Sequence, residues 1–275
     1  MTQPLEPGQF YGETHSIRIA DAILSEVTHR QPRTIEEHLH ALPFFLLLLD
    51  GSYQETSSDI TISYTPLTLG FHNKMMSHSD AIGPSGARMF TIELGKTWEE
   101  AIAFYGRMPA HIFELHGGEP LWLALRLYGE LGKPADLAFF TIESLLFELC
   151  AYLSRAGGDD VKEPEWLVDV VDELNERFRD KLELRSLANG ASVHPSHLAR
   201  AFHRFKGRPI GDYVTGLRVQ YAARNIAEGK ASLREIAADA GFSDQSHMTR
   251  LFKEFTGMAP AEYRRYIPTH KLDQT

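Results

Sequence analysis

Two stretches in the last third of the chain carry polar side chains where an exposed helix face would present them. The side chains expected to face outward are Ser196, His197, Ala199, Arg200 and His203 in the first stretch, and Gln245, Ser246, Thr249, Arg250 and Lys253 in the second, with His247 near the boundary. Arginine can donate two hydrogen bonds to guanine, glutamine can pair with adenine, and serine or histidine can reach several base edges. Such side chains near a helix N-terminus are candidates for reading base pairs in a major groove.

The sequence around these residues occurs twice. Residues 198–213 are similar in sequence to residues 248–263, with a constant offset of fifty positions. The matching pairs are Arg200 and Arg250, Phe202 and Phe252, Phe205 and Phe255, Gly207 and Gly257, and Tyr213 and Tyr263. A self-match at a fixed period identifies the structural unit, and two copies are too few for a solenoid.

Each copy predicts a helix-turn-helix. In the second copy, Ser232 and Glu235 form a capping box before a helix over residues 233–240. Glycine tolerates positive φ, so Gly241 predicts the turn, and Ser243 or Asp244 is expected to cap the next helix. In the first copy, Pro195 is expected in the first turn of the second helix. The alternative is a small helical packing module whose polar face is only solvated.

This stretch resembles the AraC/XylS family of transcription regulators. The resemblance rests on residues 236–257, on Ala259-Pro260 and on Tyr263-Arg264. It implies that two recognition helices enter major grooves on successive faces of one DNA site. It also assigns the base contacts to Ser196, Arg200, Gln245, Ser246, His247 and Arg250. Ala199 departs from the family pattern because it cannot donate a hydrogen bond, so the first helix is expected to read little beyond Arg200 and a thymine methyl.

The charge distribution agrees with a DNA-binding C-terminal part. The whole chain has a formal charge of −9, but residues 181–267 hold 14 Lys/Arg against 8 Asp/Glu. A basic C-terminal part is thus joined to an acidic remainder of the chain, which indicates that only the C-terminal part binds nucleic acid. We expect Arg204, Lys206 and Lys253 to contact phosphates, with Arg208, Arg218 and Arg224 also available. Such contacts set position rather than sequence preference.

The length of 275 residues fits two domains. We expect an N-terminal domain over residues 1–156, a linker at 157–163 and a DNA-binding domain over 164–275. The single cysteine, Cys150, excludes an internal disulfide and fits the cytoplasm. The start has no signal-peptide pattern, and the longest apolar run, residues 44–49, is too short to span a bilayer, so no membrane partner is expected.

Residues 16–94 alternate apolar and polar side chains, which predicts short strands, with a hairpin at Asp50-Gly51. The segment resembles the cupin-like sensor domain found at the N-terminus of many AraC-type regulators. The resemblance rests on His38-x-His40, the buried strand, a Gly-x-Tyr-x-Glu pattern and a later His-Ser-Asp. The predicted fold class is α+β: a cupin-like β-barrel with a helical extension, then an all-α tandem helix-turn-helix domain.

The histidines of this segment could bind metal or line a pocket. His38, His40 and His78 are the candidate metal ligands, but Phe44 and Phe45 stand where metal-binding cupins carry a carboxylate. We therefore expect no metal or other cofactor, and a small organic effector instead. The expected effector pocket comprises His38, His40, Phe45, Tyr53, Glu55 and His78.

The leading hypothesis is a transcription regulator that is switched by a small effector. We expect it to act as an activator and not as an enzyme. Its expected partners are promoter DNA, RNA polymerase and a second copy of the chain. The second copy is expected because the helix over residues 135–156 carries more apolar residues than one face needs; the alternative is that this helix is fully buried within one subunit. One alternative is a metal-dependent cupin enzyme fused to a DNA-binding module. Others are control by a protein partner, or a reactive Cys150, although that residue lacks the basic neighbour that would activate a thiol.

Overall fold

The structure, a computed structural model, describes residues 4–57, 60–109, 113–115, 118–131, 133, 135–156 and 164–267. The chain divides into two compact units. The β unit contains all the strands, helices α1 and α3, and α2 from Pro120 onward; the helical unit contains α4 to α10. The predicted linker at 157–163 lies outside the described residues. No helix in the described part of the chain is both long and apolar enough to cross a membrane.

The β unit is built on one antiparallel sheet with the order β1-β2-β7-β4-β6-β8, in which β3 also pairs with β7 and β5 with β4. The strands are β1 Glu13–Ile19, β2 Ala22–His29, β3 Arg33–His38, β4 Phe44–Ser57, β5 Ile60–Tyr64, β6 Leu69–His72, β7 His78–Leu94 and β8 Phe113–Leu115. The helices are α1 Lys96–Tyr105, α2 Glu119–Glu130 and α3 Ala135–Ala156. The predicted strand region and helical extension are present.

The hairpin predicted at Asp50-Gly51 is wrong. Strand β4 continues through these residues to Ser57, and its register with β7 shifts on either side of Gly51. Gly51 has φ +85°, and a Cβ there would lie 2.1 Å from the carbonyl oxygen of Gly86. A glycine with positive φ inside a continuing antiparallel pair is a β-bulge, which bends the strand without ending it. The bulge gives β4 two halves, and both contribute to one core.

That core joins side chains from both halves of β4 and β7 with residues of β2 and β5. It contains Val27, Phe44, Leu46, Leu48, Tyr53, Tyr64, Ile82, Ala87 and Met89. Side chains of a strand alternate between its faces, so Phe44, Leu46 and Leu48 share this interior while Phe45 and Leu47 face the other way.

The helical unit contains α4 Glu165–Arg177, α5 Leu184–Gly190, α6 Pro195–Lys206, α7 Ile210–Glu228, α8 Leu233–Asp239, α9 Gln245–Thr256 and α10 Pro260–Tyr266. The sequence repeat is also a structural repeat, because α6 and α9 each have 12 residues. Phe202 and Phe252 are fully buried, and their rings lie 5.3 and 5.1 Å from those of Tyr213 and Tyr263. The repeat therefore encodes the same packing twice.

The two helix-turn-helix turns are also equivalent. The backbone N–H of Val193 donates to Ala188 O at 2.9 Å, and that of Phe242 donates to Ala237 O at 3.0 Å. The left-handed position in the second turn is Gly241, with φ +81°, whereas the first turn uses Ser192, with φ +55°. A left-handed conformation costs a non-glycine residue roughly 1–2 kcal/mol.

We expect Ser192→Gly to raise the free energy of unfolding by about 0.5–1 kcal/mol. The substitution removes the steric cost of the left-handed conformation, and the greater freedom of glycine in the unfolded chain offsets part of that gain. Urea denaturation of the full chain measures the change, and Ser192→Ala, which keeps a Cβ, is the control. A stability equal to or below that of the wild type would contradict the strain at Ser192.

A short segment, residues 178–180, contacts helix α7 and the turn of the second helix-turn-helix. Arg218 of α7 donates from Nε to Phe178 O at 2.7 Å and from Nη2 to Asp180 O at 2.8 Å. The Arg179 guanidinium lies 4.3 Å from the centre of the Tyr221 ring, also on α7. A Cβ added at Gly241 would lie 2.4 Å from Arg179 O, so this backbone also meets the second turn. The 178–180 segment therefore helps to fix the second helix-turn-helix relative to α4 and α7.

Candidate nucleic-acid interface and histidine cluster

Helix α6 presents a polar face opposite a buried apolar one. Leu198 and Phe202 are fully buried, and Ser196 and Arg200 are exposed, as the periodicity predicts. Pro195 occupies the first turn, and His194 caps the helix by accepting the Ser196 backbone N–H at 3.3 Å. The His194 Nδ1 atom also lies 2.8 Å from Ser196 Oγ, so the cap orients the Ser196 hydroxyl.

Helix α9 begins with a stronger cap. Asp244, not Ser243, is the N-cap, and its Oδ1 accepts the His247 backbone N–H at 2.8 Å. This hydrogen bond is the main reason that the pKa of Asp244 is lowered. Gln245 and Ser246 are exposed in the first turn. A carboxylate at a helix N-terminus is favoured by the helix dipole, so the cap fixes the start of the predicted reading face.

His247 is more restricted than its neighbours on this face. The side chain is half-buried, its Nδ1 lies 3.0 Å from Ser243 Oγ, and its ring lies 5.8 Å from the Phe242 ring. The contacts of Nδ1 and of the ring hold the imidazole against the turn. Nε2 is the ring nitrogen that these contacts leave for a base edge.

Arg250 is exposed one turn further along α9. Its Nη1 lies 3.6 Å from Glu254 Oε2, and the side chains of both residues are more than 60% exposed. A surface ion pair of this kind contributes only about 0–1 kcal/mol. The guanidinium can therefore leave Glu254 at small cost when another acceptor is offered.

The basic side chains that we expected to contact phosphates differ in their exposure to solvent. Arg204 and Lys253 are exposed and Lys206 is half-buried. Arg208, which the sequence offered as an additional phosphate contact, is only 7% exposed, so that expectation is wrong. The same correction applies to Arg218, because the carbonyls of Phe178 and Asp180 already occupy its guanidinium. Charge pattern alone does not distinguish a structural arginine from a solvated one.

Comparisons with known proteins agree with this geometry. A family profile described as a helix-turn-helix domain matches residues 187–266. A putative AraC-like transcription regulator from Streptomyces lividans is 38% identical over 80 residues, which cover 29% of this chain and 26% of that protein. The probable transcription factor PqrA from Proteus vulgaris is 36% identical over 83 residues, which cover 30% of this chain and 68% of that protein. The chain belongs to the AraC-like family of transcription regulators.

The family assignment rests on the helical unit. The chain spans about half the length of another relative, the bifunctional transcriptional activator/DNA repair enzyme AdaA from Bacillus subtilis, with 28% identity over 117 residues, 42% of this chain and 54% of that protein. A crystal structure of apo ToxT K231A from Vibrio cholerae aligns with 90% of this chain and 98% of its own, at 10% identity and a TM-score of 0.41. At this level of similarity, no residue of this AraC-like chain can be assigned a role from that structure.

The β unit of this AraC-like regulator buries a polar group that we call the histidine cluster. It comprises His38, His40, Glu55, His72, His78 and Asp80, all under 9% exposed. Strand register brings its members together: His38 pairs with His78, Glu55 with Asp80, and His72 with Phe44. Of the pocket residues expected from the sequence, His38, His40, Tyr53, Glu55 and His78 lie at or beside this cluster.

Phe45 is the exception and does not lie in the cluster. Its ring contacts Phe71 at 5.1 Å on the other face of β4. Phe44 takes the expected place, with ring centroids 4.7 Å from His40 and 4.3 Å from His72. A one-residue error in strand phase moves a side chain to the opposite face, which explains the wrong choice.

The expected pocket also lacked His72 and Asp80. Asp80 could have been found, because it follows His78 by two residues and therefore shares its face of the strand. His72 could not, because its position depends on the β4–β6 register.

Burial sets the protonation of the cluster. Burial, with a smaller contribution from nearby histidines, lowers the pKa of His78 to about 4 and that of His40 to about 2. Burial also raises the pKa of Asp80 to about 7, although Tyr53 donates a hydrogen bond to it at 2.8 Å. At neutral pH, His40 and His78 therefore have unprotonated ring nitrogens.

Cys150 is not a reactive thiol. It is buried in α3, and burial raises its pKa to about 12. A nucleophilic cysteine needs a lowered pKa and access to solvent, so this residue serves packing.

Proposed function

We propose that this AraC-like chain binds promoter DNA through α6 and α9, each placed in a major groove, and that the β unit controls this binding. The observation that carries the proposal is the duplicated geometry of the helical unit. Two helices of equal length are held by equivalent buried Phe–Tyr pairs, and both expose an arginine at the same repeat position.

The two helices are not equivalent in what they can read. Helix α9 offers Gln245, Ser246, His247 and Arg250, whereas α6 offers Ser196 and Arg200 beside the small, half-buried Ala199. Hydrogen-bonding side chains discriminate between bases, while a methyl group contacts only a thymine methyl or nothing. We therefore propose that α9 supplies most of the sequence preference and α6 supplies part of it.

Arg250→Ala is expected to relax sequence preference at one base position by about 1–3 kcal/mol. The lost contact is a hydrogen-bonding fork to a base edge, so affinity for the preferred sequence falls while affinity for random DNA changes little. Selection from a random DNA pool, followed by binding titrations on the selected site, measures both quantities.

Lys253→Ala is the matched control, because Lys253 lies on the same helix and is exposed, and is expected at a phosphate. It should weaken all sequences about equally and reduce the salt slope by roughly one ion. If Arg250→Ala selects the same sequence with the same discrimination as the wild type, Arg250 is not a base contact.

We further propose that a second copy of the chain docks on α1 and α3 of the β unit. These helices contact each other through the Trp98 and Phe147 rings, 4.8 Å apart. Four aromatic side chains on them are more than 60% exposed, namely Phe104, Tyr105, Phe140 and Phe147. Exposed aromatic groups of this size mark interaction surfaces, and a two-fold axis buries the same patch on both chains.

A small effector bound in the β unit, and contact with RNA polymerase in activation, complete the proposed function. The cluster of buried polar groups supports a ligand site in the β unit, because burying a polar group is costly unless it is hydrogen-bonded or paired. Native mass spectrometry of the purified chain tests dimer and effector together. A strictly monomeric species at micromolar concentration would contradict the proposed dimer. A mass equal to that of the chain alone in every preparation would contradict a tightly bound effector.

A further inference from the structure

The histidine cluster holds two sets of three potential ligands that share one residue. Ligand atoms of His38, His40 and His78 lie within 4.8 Å of one another, and so do those of Glu55, His72 and His78. His78 thus stands between a pair of imidazoles on one side and an imidazole with a carboxylate on the other. All five side chains are buried.

Two of the imidazoles have their orientation fixed by the backbone. His38 Nδ1 lies 2.9 Å from Glu36 O, and His78 Nδ1 lies 3.2 Å from Met76 O. A carbonyl only accepts, so each Nδ1 carries the proton and each Nε2 presents a lone pair. Metal-binding histidines are usually held in this way, with the second ring nitrogen donating to a carbonyl or carboxylate.

Other atoms of the cluster are buried without a hydrogen-bond partner among the described residues. They are His40 Nδ1, His72 Nδ1 and Glu55 Oε1. His72 Nε2 lies 2.8 Å from Glu55 Oε2, which also accepts a hydrogen bond from the Tyr64 hydroxyl at 3.2 Å. Each unsatisfied buried polar group costs about 1–3 kcal/mol, and such groups call for a specific explanation.

We propose that the histidine cluster binds one divalent transition-metal ion, with His78 as the shared ligand, His38 and His40 on one side, and Glu55 and His72 on the other. The carboxylate ligand is Glu55, which lies in β4 after the bulge at Gly51. It does not come from the start of β4, where Phe44 and Phe45 lie. The inference concerns the β unit alone and does not depend on DNA recognition.

The ligand types select the class of ion. Imidazole nitrogens with one carboxylate suit Zn²⁺, Fe²⁺, Ni²⁺ or Cu²⁺, whereas Mg²⁺ and Ca²⁺ prefer oxygen ligands. The space also favours an ion over an organic molecule. The ring centroids of His78 lie 4.3 Å from His38, 5.5 Å from His40 and 5.2 Å from His72, so these rings are already in contact.

Closing the site requires only small movements. Nitrogen ligands around tetrahedral Zn²⁺ are about 3.4 Å apart, given Zn–N distances of about 2.0–2.1 Å. The ligand atoms of each set lie within 4.8 Å of one another, and rotation about side-chain torsions can bring them to this separation. Asp80 lies next to the ligands, with Oδ2 3.6 Å from His38 Nε2, and Tyr53 holds its carboxyl group.

The test is Zn²⁺ binding to the full chain after chelator treatment and gel filtration at pH 7.5. We expect one Zn²⁺ per chain by elemental analysis, a rise in melting temperature on adding Zn²⁺, and visible absorption from protein-bound Co²⁺. His78→Gln should weaken Zn²⁺ binding by at least about 100-fold, the upper end of what even outer-shell substitutions cost.

His29→Gln is the matched control, because His29 is also a buried histidine of the β unit but belongs to neither ligand set. It should bind Zn²⁺ like the wild type. If His78→Gln does not fold, His38→Gln, at the edge strand β3, makes the same test. Less than a tenth of an equivalent of Zn²⁺ on the wild type, or equal loss in His29→Gln and the cluster variants, would overturn the proposal.

Discussion

Gly241→Ala is expected to destabilise the helical unit by about 2–5 kcal/mol. The residue has φ +81°, which costs an alanine roughly 1–2 kcal/mol. The added Cβ would also lie 2.4 Å from Arg179 O, and overpacking against an atom that cannot rotate away adds about 1–3 kcal/mol. Arg179 cannot retreat freely, because Arg218 binds the carbonyls on either side of it.

Scanning calorimetry of the full chain measures this effect. A loss of 3 kcal/mol corresponds to a fall of roughly 10–20 °C in the melting temperature of a domain of this size. Gly207→Ala is the matched control, because Gly207 has φ +72° with no atom within 4 Å of an added Cβ. It should lose only the conformational cost, about 1–2 kcal/mol. Equal losses in the two variants would show that the contact with Arg179 is unimportant.

The Gly241→Ala variant should also bind DNA poorly at temperatures where it remains folded. The second turn would move away from the 178–180 segment, and with it α9 would move relative to α6. Two helices that bind one DNA site depend on their spacing, because half-sites lie one helical turn apart.

Acid is expected to destabilise the β unit through His29. Burial, with a smaller contribution from Arg33, lowers the pKa of His29 to about 4, whereas the unfolded chain has a histidine pKa of about 6.5. Between these values the unfolded state binds one more proton than the folded state, so stability falls as the pH falls from 6.5 to 4. Below pH 4 both states are protonated and this contribution stops changing. One proton over this window corresponds to roughly 2–4 kcal/mol.

The difference between wild type and His29→Gln isolates this contribution. Denaturation curves at several pH values from 7.5 to 4, in the presence of chelator, should show that the variant loses less stability than the wild type. His15→Gln is the control, because His15 is an exposed histidine of the same unit. Parallel pH profiles for wild type and His29→Gln would contradict the inferred pKa.

The helical unit could be predicted closely because its signals are local. Gly207 and Gly257 end α6 and α9 with positive φ, and Ser232 with Glu235 forms the predicted capping box. Caps, turns and helical periodicity depend on residues a few positions apart. The base-contact assignment remains a prediction, since exposure alone does not place a side chain on a base.

The β unit could be predicted only in part because its decisive contacts are between strands distant in sequence. Asp50-Gly51 has the composition of a hairpin, yet the chain continues as a bulged strand because β7 pairs with both of its halves. The absence of a carboxylate near Phe44 argued against metal, yet the pairing of Glu55 with Asp80 brings two carboxyl groups to the histidines.

The sequence by itself determined that this protein has two copies of a helix-turn-helix, and which side chains those helices expose. A helix face is set by a period of 3.6 residues, which can be read along the chain. Only the tertiary structure decided which arginines are structural, which face of β4 meets the histidines, and that His72 and Glu55 join His78. Strand register and burial are properties of the whole sheet, and no local pattern specifies them.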